Sequence, residues 1–287
     1  MKRGVMKPMG LLVSLVLSAG VCWGQLEGAI DVHAHADPET IPRSVDAMDL
    51  ARIARKEGMR AVVLKNHFVP TAPIAFLVAR EVPGIQVFGG LVLNSQVGGI
   101  NPAAVQQMAR LPGRYGRIVW MPTMDARRIS IERDGELLPE VLEVFKIMAR
   151  ENLALATGHA TPENTLLLIR EARKMGINRI IVTHPVNRMS FEQQQEAAKM
   201  GAYLEYCYGT TLEYAGKGRR TLAEYAKLMK ALGPEYCIMS SDLGNAVNPV
   251  HPAGFKSYIA GLLEAGITQQ EIDVMLKRNP ARLLDLE

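Results

Sequence analysis

Two histidines separated by a single residue are the first feature of this 287-residue chain that could do chemistry. His33 and His35 stand at the end of an apolar, strand-like run. Residues two positions apart in a strand point to the same face, so both imidazoles would be directed at one point. Such a pair is typical of metal ligands, although two solvated loop histidines would show the same spacing.

Four further residues with ligand-type side chains favour the metal interpretation, because each also follows an apolar run. His67 comes just after the second run, His159 just after the fifth, and His184 at the end of the sixth. Asp242 ends the eighth run, where capping of the following turn is the alternative role. In a parallel barrel the carboxyl ends of the strands meet in one ring, so these side chains would converge there.

Eight apolar runs must position these residues, and amphipathic, helix-like segments separate the runs. They are rich in Ile, Val and Leu with little alternation, as expected for parallel strands that are covered on both faces. The predicted strands are Ala29–His33, Ala61–Lys65, Gln86–Leu93, Arg117–Met121, Leu153–Thr157, Arg179–Thr183, Ala202–Cys207 and Tyr236–Ser240. An open doubly wound sheet would alternate similarly, but the count of eight and the placement of the polar residues favour a (β/α)₈ TIM barrel.

Capping signals mark the helices between the strands. A hydroxyl residue followed three positions later by Glu or Gln predicts capping boxes at Ser190, Thr221 and Thr268. Thr161 before a proline predicts another helix start. No low-complexity linker divides the chain, which predicts a single domain. The long connection Asp125–Glu140 predicts a lid or an added turn over one end.

The first 24 residues are typical of a secretory signal peptide, with a basic start, the apolar run Gly10–Val21 and the small Gly24 before the expected cut. The run is shorter than the roughly 20 residues of a spanning helix, although an uncleaved anchor and a lipoprotein signal ending at Cys22 are alternatives. We therefore expect residues 25–287 to form the mature barrel, with no stable membrane span. The mature chain would work in the periplasm or outside the cell.

Most of the formal net charge of +4 belongs to the predicted signal peptide, so the mature domain is close to neutral. Near-neutrality argues against nucleic acid as a partner and gives a metal-dependent nuclease little support. Cys207 and Cys237 remain after cleavage and are predicted to be buried free thiols, although export would permit a disulfide. The sequence leaves the oligomeric state open, with a homo-oligomer as one option.

The ligand-type residues together resemble those of the amidohydrolase superfamily of metal-dependent hydrolases. The resemblance spans essentially the whole mature chain and points to an uncharacterised bacterial branch. The matching residues are His33 and His35 on strand one, His159 on strand five, His184 on strand six, Asp242 on strand eight, and the ending Asn279–Leu284, which is similar to the closing helix of many members.

The resemblance implies roles for these residues. His33, His35 and Asp242 would hold the more buried metal ion, and His159 and His184 would hold a second ion or serve as a ligand and a substrate contact. Zinc is the first expectation, with Mn, Fe, Co or Ni as alternatives. The ion would activate water and polarise the bond under attack. Asp242, with His184 beside it, would move the proton from the water to the leaving group.

One position departs from the family pattern. Two-metal members usually bridge their ions with a carboxylated lysine or a glutamate, often at the end of strand four, which here reads Trp120–Thr123. Lys65 ends strand two and shares a face with His67, so a carboxylated Lys65 could bridge two ions instead. A charged Lys65 that contacts an anionic substrate, or pairs with Asp31 or Asp242, is the alternative. One or two divalent ions are therefore expected.

The substrate would be a small molecule with an amide, lactone or ester, or phosphoester bond. If Arg43 and Arg188 converge, the substrate carries a carboxylate or a phosphate. A metal-dependent decarboxylase or isomerase, and a binding barrel without turnover, are the alternative functions. The predicted substrate contacts are Asn66, His67, Arg43, Arg188 and His251, with Asn94, Gln96 and Glu205 as further candidates.

Overall fold

Eight parallel strands follow one another around a barrel in the computed structural model, which describes residues 24–212 and 219–287. The barrel strands are β1 Ile30–His35, β2 Ala61–Lys65, β3 Gln86–Val92, β4 Gly116–Trp120, β5 Ala154–Ala156, β6 Ile180–Val182, β7 Tyr203–Cys207 and β8 Cys237–Ser240. Each strand pairs in parallel with the next. The predicted α/β barrel and all eight predicted strands are confirmed, with shifts of one or two residues at most ends.

Two backbone hydrogen bonds join the residues directly after the last strand to the first strand. The Asp242 N–H donates to the His33 carbonyl at 2.8 Å, and the His35 N–H donates to the Leu243 carbonyl at 3.0 Å. The sheet therefore closes on itself immediately beside His33, His35 and Asp242. Closure also removes the exposed edges that an open doubly wound sheet would leave.

Helices cover the outside of the barrel. Three of them begin with complete capping boxes at Ser190, Thr221 and Thr268, and Thr161 caps a fourth, as predicted. The helices are α1 Ala47–Lys56, α2 Ala72–Glu81, α3 Pro102–Arg110, α4 Pro139–Glu151, α5 Pro162–Lys174, α6 Phe191–Lys199, α7 Leu222–Leu232, α8 His251–Glu264, α9 Gln269–Asp273 and α10 Asn279–Leu283, with a π-helical turn at Val274–Arg278 between the last two.

A change of register in β1 decides which way the two histidines face. Ile30 and Val32 pack in the inner cluster of the barrel, so regular alternation would put Ala34 there too. Ala34 instead packs in the outer core between strands and helices, because the pairing of β1 with β2 shifts between Asp31 and Ala34. The bulge thereby turns the alternate residues His33 and His35 inward. Bulges of this kind are frequent at barrel rims beside active sites.

The C-terminal segment closes the opposite end of the barrel. Ala281, Leu283 and Leu284 pack against the inner cluster. Asp285 forms ion pairs with Arg114 and Arg179, which precede β4 and β6. The amino ends of the strands are therefore covered, and the carboxyl ends are left for the polar residues.

The long connection after β4 contains an added element, as its length predicted. A turn follows Asp125, and residues Glu132–Arg133 and Glu136–Leu137 form a short antiparallel hairpin before α4. The predicted signal peptide falls almost entirely outside the described residues. None of the helices in the described part of the chain is long and apolar enough to cross a membrane. Cys207 and Cys237 are buried with free thiols.

Candidate metal centre

Three ligand-type side chains meet where β8 closes onto β1. His33 Nε2 lies 2.9 Å from Asp242 Oδ1, and His35 Nε2 lies 3.4 Å from the same oxygen. Both rings are buried, whereas the Asp242 side chain is partly open. Asp242 has a left-handed backbone (φ 46°) directly beyond β8, which helps to place its carboxylate over both rings. One ligand atom from each residue lies within 4.8 Å of the other two, as a metal ion requires.

The buried Glu205 in β7 fixes the orientation of the His33 ring. Its Oε1 lies 2.9 Å from His33 Nδ1 and also accepts a hydrogen bond of 2.8 Å from Ser240 Oγ. This contact leaves His33 Nε2 for the Asp242 side of the site. A carboxylate behind the ring is the usual support of a metal-bound histidine. The sequence suggested Glu205 as a substrate contact, but the structure places it behind a ligand.

The histidines after β5 and β6 extend the cluster. His184 Nε2 lies 3.5 Å from Asp242 Oδ2, and the His159 and His184 ring centroids are 5.4 Å apart. His184 Nδ1 is buried and has no hydrogen-bond partner among the described residues. The structure therefore brings together all five ligand-type residues that carry the resemblance: His33, His35, His159, His184 and Asp242.

Lys65 reaches the same cluster from the end of β2. Its Nζ lies 2.8 Å from His33 Nε2 and 5.6 Å from the centroid of the Trp120 ring, which occupies the end of β4. Within the described ranges Lys65 forms no ion pair with Asp31 or Asp242. Burial lowers the pKa of the Lys65 ammonium. The ligand set fits a divalent cation if Lys65 is neutral or carboxylated, since an ammonium so close to Nε2 would repel the ion.

Electrostatics within the protein also suit a cation. Burial alone would lower the pKa of His33, but the charges of Asp242 and Glu205 raise it to about 9. Burial would raise the pKa of Asp242, yet the neighbouring histidines hold it well below its usual range. His33 therefore carries a proton against an ionised Asp242. A metal ion would displace that proton and take over its contact with the carboxylate.

A second group of ligand-type residues lies on the other side of His35. Glu39, which the sequence reasoning missed, has Oε2 3.6 Å from His35 Nδ1, and its Oε1 accepts a hydrogen bond from the His67 N–H at 3.1 Å. Arg43 already pairs with Glu39 and lies 3.2 Å from His35 Nδ1. His67 Nδ1 in turn lies 2.9 Å from Thr123 Oγ1. An acid four residues after His35 was the signal that could have identified Glu39.

The other predicted substrate contacts lie in different surroundings. The Asn66 side chain bonds only to backbone atoms among the described residues: its Nδ2 donates to the Pro38 carbonyl, and its Oδ1 accepts from the N–H groups of Phe68 and Val69. His251 is buried at the start of α8, and its ring nitrogens have no hydrogen-bond partner in the described part of the chain. Arg188 is exposed and donates to the His159 carbonyl at 3.4 Å. Arg43 thus lies on the His35 side of the site and Arg188 on the His159 side, and no contact joins them among the described residues.

Asn94, a further candidate, supports the site indirectly. Its amide donates to the His67 carbonyl at 2.9 Å and to Thr123 Oγ1 at 3.1 Å. Its Oδ1 accepts from the Thr123 N–H at 2.8 Å. Asn94 therefore ties the loop after β4 to the loop that carries His67.

A pocket of about 670 Å³ opens beside His159. Its walls come from the end of β4, the turn before the hairpin, the start of α5 and the loop after β6. A volume of this size suits a small-molecule ligand. The pocket is therefore the candidate approach to the histidine cluster.

Solved structures with a similar fold include several hydrolases. An organophosphorus hydrolase from Deinococcus radiodurans is 17% identical, covers 92% of this chain and 94% of its own, and has a TM-score of 0.63. An amidohydrolase from Pseudomonas aeruginosa is 14% identical, covers 91% and 96%, and has a TM-score of 0.65. An organophosphate hydrolase engineered from a weak promiscuous lactonase is 17% identical, covers 91% and 97%, and also has a TM-score of 0.65.

At these identities the likeness is one of fold, and it confirms the predicted barrel. A comparison with curated protein sequences gives no match. The model of a family of unknown function, DUF6282, matches residues 28–205, which include β1 to β6 of the barrel, the first part of β7 and four of the five clustered residues. The chain therefore belongs to DUF6282, a family of unknown function whose barrel here is shared with amidohydrolases.

Proposed function

We propose that this protein is a metal-dependent hydrolase that acts on an amide, a lactone or ester, or a phosphoester bond of a small molecule. The observation that carries the proposal is the convergence of His33, His35 and Asp242 at the carboxyl end of the barrel, with Glu205 behind His33. Active sites of this fold stand at that end. The similar fold of the hydrolases described above supports the reaction class.

In this proposal His33, His35 and Asp242 hold the first divalent ion. His184 and His159 hold a second ion, or provide a ligand and a substrate contact in a one-metal enzyme. Nitrogen and carboxylate donors suit zinc, with Mn, Fe, Co or Ni as alternatives. A bound ion would lower the pKa of water towards neutrality and polarise the carbonyl or phosphoryl group.

Asp242 is the residue that we assign to proton transfer. Its Oδ1 faces His33 and His35, and its Oδ2 faces His184, so the carboxylate spans the ligand cluster. Its side chain is also more open than those of His33 and His35, which lets it reach a substrate. Asp242 would accept the proton of the attacking water and deliver it to the leaving group. Glu205 would keep His33 in the orientation that this geometry needs.

Lys65 decides whether one or two ions bind. Its Nζ approaches His33 Nε2, and burial favours the neutral amine that carbon dioxide can carboxylate. A carboxylated Lys65 would supply from β2 the anionic ligand that two-metal members usually carry at the end of strand four. An uncarboxylated Lys65 would leave one ion.

We also propose that residues 1–24 direct export and are removed. The basic start and short apolar run support a signal peptide. The mature chain 25–287 would then work in the periplasm or outside the cell. Mass determination of the N-terminus after expression in a bacterium tests the cleavage site.

Metal content is the measurement that tests the hydrolase. The mature domain is purified without chelator, and bound metal per chain is determined for the wild type and a double variant, His33→Ala with His35→Ala. We expect one or two ions in the wild type and at least one fewer in the variant. Glu143→Ala with Lys146→Ala, which removes an exposed ion pair on α4, is the control double variant that should retain metal.

Each outcome of this measurement has a distinct meaning. Two ions per chain support the binuclear site and should be accompanied by a carboxylated Lys65 in the crystal or by bicarbonate-dependent metal uptake. One ion keeps the enzyme but assigns Lys65 to substrate contact. No bound metal, even after reconstitution with zinc or manganese, would contradict the proposal.

A further inference from the structure

The pocket beside His159 has an unbalanced charge. Three arginines line it, Arg127 and Arg128 from the turn after β4 and Arg188 from the loop after β6, and no acidic residue lines it. In the described ranges none of the three pairs with a carboxylate. Among the described residues, the Arg188 side chain makes one hydrogen bond, which it donates to the carbonyl of His159. The guanidinium groups therefore retain most of their capacity to bind an anion.

Arg127 and Arg188 belong to different loops but lie close enough for their charges to interact. Desolvation by the surrounding protein, and then the neighbouring positive charge of Arg127, lower the pKa of the Arg188 guanidinium. Two like charges on one pocket wall repel each other unless an anion lies between them. Guanidinium groups are also well matched in shape to carboxylates and phosphates.

The remaining walls suit an apolar group. Ile129 and Pro162 line the pocket and are both partly exposed. His159 forms the border towards the metal centre, because its ring is 5.4 Å from that of His184, which approaches Asp242. A ligand that spans this space would place an anionic group at the arginines and a reactive bond near Asp242.

We propose that this pocket recognises the anionic group of the substrate, a carboxylate or a phosphate, through Arg127 and Arg188, while an apolar part of the ligand packs against Ile129 and Pro162. The substrate class is thus small amphipathic anions instead of neutral esters or amides. The assignment of these anions as substrates rests on the proposed hydrolase function. Anion binding itself depends on the pocket alone.

Calorimetric titration of the zinc-loaded mature chain tests the proposal with three probes of related shape: phenylacetate, phenylphosphonate and the neutral phenylacetamide. We expect the anions to bind at least about tenfold more tightly than the amide, since charge-assisted hydrogen bonds are lost with the amide. The tighter of the two anions identifies carboxylate or phosphate as the preferred group.

Two substitutions separate recognition by arginine from direct coordination of the anion by zinc. Arg127→Gln and Arg188→Gln should each weaken anion binding about tenfold without changing metal content. Arg133→Gln is the matched control, because Arg133 is an exposed arginine in the adjacent hairpin and does not line the pocket. Equal thermal midpoints would show that all three variants fold alike.

Three results would overturn the proposal: equal binding of amide and anion, no binding of either anion at millimolar concentration, or equal weakening by Arg133→Gln. The hydrolase can fail separately. If zinc does not bind but both pocket variants still weaken anion binding, the anion pocket stands and the enzyme does not. If zinc binds and substrates are hydrolysed, but wild type and both variants bind the anions equally, the enzyme stands and the anion pocket does not.

Discussion

At the scale of single residues, the candidate centre depends on which nitrogen of His33 faces Asp242. Glu205 Oε1 contacts Nδ1 of the His33 ring, and Ser240 Oγ donates to the same carboxylate oxygen. The other oxygen of Glu205 is buried without a hydrogen-bond partner in the described part of the protein. A full negative charge is thus kept against the ring, and this makes Nε2 a stronger donor to a cation. Such an arrangement is costly to bury unless a cation compensates it.

Substitution of Glu205 by Gln should therefore weaken metal binding while the His33 ring keeps a hydrogen-bonding neighbour. We expect the zinc dissociation constant to rise by about 10- to 100-fold, as is usual when the carboxylate behind a metal-bound histidine is lost. Competition with a chromogenic chelator measures it. Glu196→Gln, at an exposed glutamate on α6, is the control and should leave the constant unchanged. Unchanged zinc affinity in Glu205→Gln would show that the carboxylate does not support the site.

At the scale of elements, short loops after the strands set the positions of the ligands. Gly158 lies between β5 and His159 with φ +61°, and a Cβ there would approach the Met121 carbonyl oxygen to 2.2 Å. The His159 N–H also donates to the Pro122 carbonyl at 2.9 Å. The end of β4 and the loop after β5 are thus in direct backbone contact, so only glycine fits between them.

Gly158→Ala should consequently displace the His159 loop. We expect a loss of about 1–3 kcal/mol in the free energy of unfolding, from backbone strain and the close contact with Met121. The same change should weaken ligand binding in the adjoining pocket. Gly135→Ala is a suitable control, because Gly135 also has a positive φ but a Cβ there meets nothing within 4 Å. Denaturant unfolding compares the two, and equal losses would mean that backbone conformation, not the contact with Met121, sets the cost.

The strands and capped helices could be predicted from sequence because their signals are local. A buried parallel strand is a continuous apolar run, and a capping box spans four residues, so both are visible without tertiary contacts. The bulge in β1 and the approach of Arg127 to Arg188 depend on packing between distant segments, which a single sequence does not encode in a readable pattern. For the same reason the sequence did not show that Glu205 contacts the His33 ring or that Glu39 contacts the His35 ring.

At the scale of the whole molecule, one end of the barrel carries the candidate site and the other end is packed for stability. The carboxyl ends of the strands carry the histidine cluster and the arginine-lined pocket. The amino ends are closed by the C-terminal segment through Asp285 and the apolar residues of α10. In barrels of this type the first end carries function and the second carries stability.

Asn279 provides a test of this division, because it holds the C-terminal segment to the loop before β8. The buried Asn279 amide donates to the carbonyls of Pro234 and Cys237 at 2.9 and 2.7 Å. Asn279→Ala leaves these carbonyls without their donor and should lower the free energy of unfolding by about 1–3 kcal/mol. Metal content and anion binding should stay at wild-type values, since no ligand residue contacts Asn279. Denaturant unfolding measures the free energy of unfolding, and elemental analysis measures the metal content. A variant that loses metal while its stability is unchanged would mean that the two ends of the barrel are coupled and do not serve function and stability separately.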